Sequence, residues 1–172
     1  MRLFDMVVTQ SALWCCESWL LTQEEKRYVQ STQNQMLRRF AGGGRRPDED
    51  YVQWIVRATR LARERASAQG VRFWVETHLR YKWQWAGHIM RQEACRLTHK
   101  NTRWRDSIWW AEEMEMPRRI RITRPHRDHW FRWEDELKNF CKNRGAIAWQ
   151  NAAACRQAWH DAADAYVHFC IN

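Results

Sequence analysis

Six glycines and three prolines are few interruptions for 172 residues. A many-stranded sheet needs a turn every few residues, so this scarcity favours long helices. No apolar run approaches the roughly 20 residues needed to cross a bilayer, and charges interrupt the opening residues where a secretory segment would be apolar. We expect no membrane partner and an intracellular chain, nuclear or cytoplasmic. The six cysteines, at 15, 16, 95, 141, 155 and 170, contain no Cys-x-x-Cys pair. That spacing argues against a disulfide framework and fits reduced, mostly buried thiols. Nor is there an Asp-Asp pair anywhere in the chain. Disorder is excluded in turn, because 45% of the residues are hydrophobic and thirteen are tryptophan.

What the chain has in excess is positive charge, +9 in all, with a pI near 9.7. Polyanions are the usual partners of such a surface. Of the 29 basic residues 24 are arginine, whose planar fork pairs with phosphate through two hydrogen bonds and stacks on bases. The excess peaks over residues 96–127, where nine basic and four acidic side chains leave +5.

The helical reading starts at residues 22–40. Thr22 and Glu25 have capping-box spacing, Tyr28, Val29, Met36, Leu37 and Phe40 follow at helical intervals, and Arg38 and Arg39 sit where the helix dipole favours cations. Gly42-Gly43-Gly44 then stops the helix. Residues 3–20 suit either a helix or a strand and turn, and we read a helix. After Pro47 and Asp48, Val52, Ile55, Val56, Thr59, Ala62 and Ala66 share a face, flanked by Arg57, Arg60, Arg63 and Arg65. Val71, Val75, Leu79, Ala86 and Ile89 make the next stripe, over 71–92. Residues 103–115 could form a short helix that Pro117 breaks, and 118–127 reads as extended or looped. Trp130, Trp133, Leu137, Phe140 and Cys141, then Ala152, Cys155, Trp159, Tyr166 and Phe169, define two further helices, and their short connection implies an antiparallel pair. The expected fold is all-α: an irregular thumb-like helical bundle over 1–95, a basic extended linker over 96–127, and a C-terminal antiparallel helix pair over 128–172.

Four blocks of residues, in order, resemble the region downstream of the catalytic palm in non-LTR (LINE-type) retrotransposon reverse transcriptases. Leu13 to Trp19, L-W-C-C-E-S-W, is similar to Leu-Tyr-Gly-x-Glu-x-Trp. Leu37, Arg38 and Arg39 resemble the Leu-Arg-Arg that ends a charged helix. Trp85 to Arg91, W-A-G-H-I-M-R, is similar to Trp-Leu-Gly-His followed by Arg. Arg124-Pro125, Arg132-Trp133-Glu134-Asp135 and Arg156 to Trp159 resemble the closing elements. There are two departures. Cys15 stands where the family has glycine, which counts against a tight turn there, and six residues separate Pro125 from Arg132, more than in the family. The resemblance implies a thumb-like segment and basic tail that hold template and primer, RNA or DNA, beside an upstream reverse transcriptase palm domain. Polymerase chemistry needs palm carboxylates holding divalent metal, typically with an adjacent Asp-Asp. Without that pair, no catalytic residue and no cofactor is expected.

The candidate nucleic-acid contacts are Arg118, Arg119, Arg121, Arg124 and Arg127, then Arg103 and Arg105, Arg38 and Arg39, and His88 and Arg91. Five guanidinium groups over 118–127 exceed the acidic partners nearby and suit phosphate. A solvated basic loop is the plainer reading. For His88 the favoured reading is core packing with a hydrogen-bonded ring, the other a phosphate contact. Trp19, Trp74, Trp133 and Trp159 fall on apolar stripes and are expected inside, whereas Trp83, Trp104, Trp109 and Trp110 lie off the stripes or beside arginine, where stacking on bases is open. His126 and His129 with Cys141 and Cys155 would draw a zinc site, but the spacing matches no finger or knuckle, and both cysteines are expected in the core. Glu112, Glu113 and Glu115 read as a solvated face, and nothing supports Cys15-Cys16 with His78 or His88 as nucleophile and base. The expectation is a non-catalytic nucleic-acid-binding fragment. The alternatives are a Trp-rich protein-interaction module and a decayed retroelement remnant.

Overall fold

The computed structural model describes residues 3–93, 95–99, 132–145 and 148–171. Among them every regular element is helical, as the scarcity of glycine and proline predicts. Residues 103–127, with the short helix and basic loop read there, lie outside the described residues. The chain divides into two compact units, Met1–Lys82 with Val167–Asn172, and Trp83–Tyr166.

The first unit opens with a π-helix, Phe4–Thr9, that runs into an α-helical turn, Gln10–Ala12. Phe4, Val8, Ala12 and Leu13 face the core, while Leu3, Val7 and Trp14 are exposed. A left-handed turn at Cys15, φ 53°, leads into a 3-10 turn, Cys16–Ser18. The departure from glycine at this position therefore does not prevent the turn. Cys15 adopts it at the cost of its β-carbon, about 1–2 kcal/mol for an L residue.

Helix α1, Gln23–Ala41, begins at the capping box: Thr22 accepts from the Glu25 N–H, and Glu25 accepts from the Thr22 N–H at 2.7 Å. Its buried face matches the apolar stripe in part, with Leu37 buried and Val29 and Met36 half-buried against the core. Lys26, Gln33, Leu37 and Ala41 point inward, while Tyr28 and Phe40 are exposed. The polar pair is inside because each side chain has distant backbone to satisfy. Gln33 donates to the Arg72 carbonyl at 2.8 Å and accepts from the Trp74 N–H at 2.9 Å. It thereby caps the free start of a later helix. Lys26 Nζ lies 3.4 Å from the Cys170 carbonyl, a cation at the end of the last helix, where the dipole favours one.

Helix α2, Tyr51–Ala68, is capped by Asp50, which accepts from the Val52 N–H. Its inner face is Ala58, Ala62 and Ala66, with Val52 and Val56 outside. The choice of alanine over valine follows from close approach, since a β-carbon on Gly42 would lie 3.2 Å from that of Ala58. Arg63 meets Asn34, and Arg38 meets Thr59. One number rises as the other falls, so α1 and α2 are antiparallel.

Helix α3, Trp74–Met90, buries the predicted stripe of Val75, Leu79, Ala86 and Ile89. In the second unit follow α4, Asp135–Asn143, then α5, Trp149–Ala154, and α6, Arg156–Asp161. The last helix, α7, is Ala163–Ile171. The single final helix of the sequence reading is thus three short ones, interrupted at Cys155, which is extended, and at Ala162. Cys155 is consequently exposed rather than in the core.

Those breaks bring Trp159 onto α3. The Trp83 and Trp159 rings stack 3.5 Å apart, 2° from parallel. Trp83 Nε1 donates to the Trp159 carbonyl at 2.7 Å, and Trp159 Nε1 donates to the Trp83 carbonyl at 2.8 Å. Trp83, expected off the stripe, is 1% exposed. Phe140, Tyr166 and Trp149 complete the cluster around the pair. Gly87 is the residue that admits it: a β-carbon there would fall 2.5 Å from Trp159 Nε1. The carbonyl of Ala153, in the last turn of α5, accepts from Arg91 at 2.9 Å.

Two substitutions invert ordinary glycine rules. Alanine in place of glycine inside a helix normally stabilises by about 1 kcal/mol, but Gly87→Ala must displace an indole and is expected to destabilise by about 1–3 kcal/mol. Cys15→Gly is expected to stabilise by about 0.5–1 kcal/mol, since relief of the left-handed strain exceeds the added freedom of the unfolded chain. Denaturant unfolding of both variants checks the two signs.

Candidate nucleic-acid interface

Arginine follows carbonyl and carboxylate oxygen through the first unit. Arg57 forks onto Glu49 with contacts of 2.6 and 2.7 Å, and donates to the Gly44 carbonyl at 2.9 Å. Hydrogen bonds from Arg57 hold the Glu49 carboxyl well below the usual range, at about 2, and the same contact raises the Arg57 guanidinium. Arg63 lies 4.4 Å over the Phe73 ring and donates to Asn34. Arg65 donates to the Ala41 carbonyl at 2.9 Å. Arg72 donates to Asp5 and to the Tyr81 hydroxyl. Of the four arginines flanking the predicted face of α2, Arg60 alone has no closer partner than a 3.7 Å contact with Glu64, and both side chains are exposed.

The predicted site residues divide accordingly. Arg38 is half-buried and donates to Thr59 at 3.0 Å, whereas Arg39 is exposed. These two lie in the first unit, and His88 and Arg91 in the second. His88 is exposed, which overturns the favoured core reading; its Nε2 lies 2.8 Å from Gln92 Nε2, and its ring is 5.3 Å from Trp85. It stays at the surface because its neighbours Gly87 and Ile89 take the inward positions. Arg91 is committed to the Ala153 carbonyl. Arg103, Arg105, Arg118, Arg119, Arg121, Arg124 and Arg127 lie outside the described residues.

Burial holds the Cys16 and Cys141 thiols in the protonated form. Burial pushes Cys16 up to about 12, and His78 Nδ1 donates to the Cys16 carbonyl at 2.7 Å rather than to sulfur. Burial also raises Cys141. Among the described residues no three His, Cys, Asp or Glu side chains gather in a group that could hold a metal ion. His126, His129, Glu112, Glu113 and Glu115 lie outside those residues.

Three arginines flank or lie in the loop between α1 and α2, which also carries Asp48 and Asp50. Arg39 and Arg46 are exposed there, and Arg45 donates through Nε to the Glu49 carbonyl at 2.8 Å. The sequence carries its signal in Gly42-Gly43-Gly44-Arg45-Arg46, which reads more readily as a helix stop. No protein-family model, curated protein or solved structure matches the chain. No helix among the described residues is long and apolar enough to cross a membrane.

The Glu49–Arg57 fork predicts a pH dependence. A carboxyl depressed from 4.5 to about 2 contributes stability that is fully present above 4.5 and lost as pH falls through about 2. Glu49→Gln is expected to lower the melting temperature at neutral pH. The gap from the unsubstituted protein should close on acidification from 4.5 towards 2, as thermal melts across that range would record.

Proposed function

We infer that the chain is a non-catalytic helical module that binds RNA or DNA through the phosphate backbone, in keeping with its resemblance to the post-palm region of non-LTR reverse transcriptases. The observation that supports this most is the division of labour between its two commonest recognition residues. Eight of the nine described tryptophans are buried or half-buried, Trp14 being the exception, while the surface carries the exposed part of a +9 charge built mainly from arginine. A docking module would present its indoles, since they dominate protein interfaces. Backbone binding needs cations instead. The chain is assigned no catalytic step, in line with the absence of an Asp-Asp pair from its sequence. The largest excess of charge, over 96–127, makes the arginines of 118–127 the first group to test.

Replacing Arg118, Arg119, Arg121, Arg124 and Arg127 together with glutamine takes the charge from +9 to +4. It should weaken binding to single-stranded and duplex RNA and DNA alike, because backbone contacts carry little sequence information. The slope of log affinity against log salt should flatten by about 0.7–0.9 for each phosphate no longer held. The matched control is glutamine at Arg27, Arg60, Arg96, Lys142 and Arg156, which are exposed. The other arginines flanking α2, Arg57, Arg63 and Arg65, are unsuitable because the fold uses them. An equal weakening in both variants would show that net charge alone matters and would refute a specific basic segment.

A further inference from the structure

Three glycines in a row follow α1, and the fold requires two of them. Gly42 has Ala58 against it, and Gly43 has a left-handed φ of 76°. Gly44 has neither reason: a β-carbon there meets nothing within 4 Å, and its φ lies outside the left-handed region. Most of the hydrogen bonds around it are accepted by carbonyls, while one loop N–H, that of Arg46, donates to the Glu49 carboxylate at 3.2 Å. Trp54 Nε1 donates to the Gly43 carbonyl, Arg57 to that of Gly44, Arg65 to that of Ala41, and Arg45 to that of Glu49. The chain's own donors thus take up the loop's acceptors.

In a trans peptide the carbonyl and the N–H that follows it point in opposite directions. With the Gly43 carbonyl turned to Trp54 and the Gly44 carbonyl to Arg57, the N–H groups of Gly44 and Arg45 point away from those partners. No backbone acceptor among the described residues takes either one. Gly42 is right-handed and Gly43 left-handed, an alternation that turns the Gly43 and Gly44 N–H groups to one side, that of Gly42 being taken by the Arg38 carbonyl. Arg39 and Arg46 are exposed on either side of these glycines in sequence. The acidic groups nearby are Asp48, Glu49 and Asp50. Glu49 is held in the Arg57 fork and accepts from the Arg46 N–H at 3.2 Å, Asp50 accepts from the Val52 N–H, and Asp48 and Asp50 are exposed.

We propose that the 43–46 loop is a phosphodiester-binding site, in which the Gly44 and Arg45 N–H groups receive a phosphate oxygen and Arg39 and Arg46 supply charge. The lack of a side chain at Gly44 leaves the backbone open to that approach, which is the use the fold itself does not make of it. The site rests on the nucleic-acid reading above and locates one of its contacts in the first unit.

The test keeps charge constant. Gly44→Val in the full chain should leave the melting temperature unchanged and weaken binding to a fluorescently labelled oligo(dT) by about tenfold, the equivalent of one hydrogen bond to a charged group. In the unsubstituted protein, the backbone amides of 43–46 should shift in nitrogen-15 spectra as oligo(dT) is added. Unchanged affinity in the variant with a normal melt would overturn the site, as would amides that stay still. If the variant melts early, the amide shifts decide alone, movement supporting the site and stillness removing it. Failure of the unsubstituted chain to bind oligo(dT) would remove the general reading along with the site, whereas full-strength binding by a folded variant removes the site only.

Discussion

Trp83 and Trp159 each donate the indole N–H to the other's carbonyl while their rings lie flat together at 3.5 Å. The arrangement solves the usual difficulty of a buried tryptophan, whose large apolar ring carries one donor that must be satisfied. It also imposes conditions on the rest of the second unit. Gly87 has to lack a β-carbon, and the C-terminal chain has to break at Cys155 so that Trp159 can start afresh on α6. Arg91 lies against Gly87 and takes up the Ala153 carbonyl. Net of solvent exchange each hydrogen bond contributes about 1 kcal/mol and the aromatic contact about as much again. The cost of disturbing the pair is larger, because an indole N–H would be left buried without a partner.

The same logic explains which parts of the fold are legible in the sequence. The capping box at Thr22 and Glu25, the stop at Gly42–Gly44 and the stripe on α3 are local, and each is where the spacing puts it. The inner face of α1 is not local. Gln33 is inside because of the start of α3, and Lys26 because of the Cys170 carbonyl, 144 positions away. A periodicity argument assigns such residues to solvent and moves Tyr28 and Phe40 inward, the reverse of what the fold does. Trp83 is a parallel case, since only the fold reveals that its N–H has a carbonyl to meet.

The candidate site was legible in kind but less so in place. Composition puts arginine forward as the candidate recognition residue, yet cannot separate an arginine that bonds to the fold's own oxygen from one that has no such partner. Arg57 and Arg72, half-buried, and Arg65 and Arg91, exposed, belong to the first class, each with an acceptor inside the chain. Arg39, Arg46 and Arg60 belong to the second. Arg57 and Arg65 take up carbonyls at the α1–α2 loop, and this is the basis for proposing that the loop's free donors meet phosphate. Tryptophan inside and arginine outside is the pattern from which the backbone-binding reading follows.

That reading is tested most directly by the affinity of the unsubstituted chain for labelled oligo(dT) measured across a range of sodium chloride concentrations. Backbone binding predicts a straight line of log affinity against log salt that falls with a slope of about −0.7 for each phosphate contacted. Binding that holds constant across the range, as an apolar interface gives, or no binding at low salt, would contradict it.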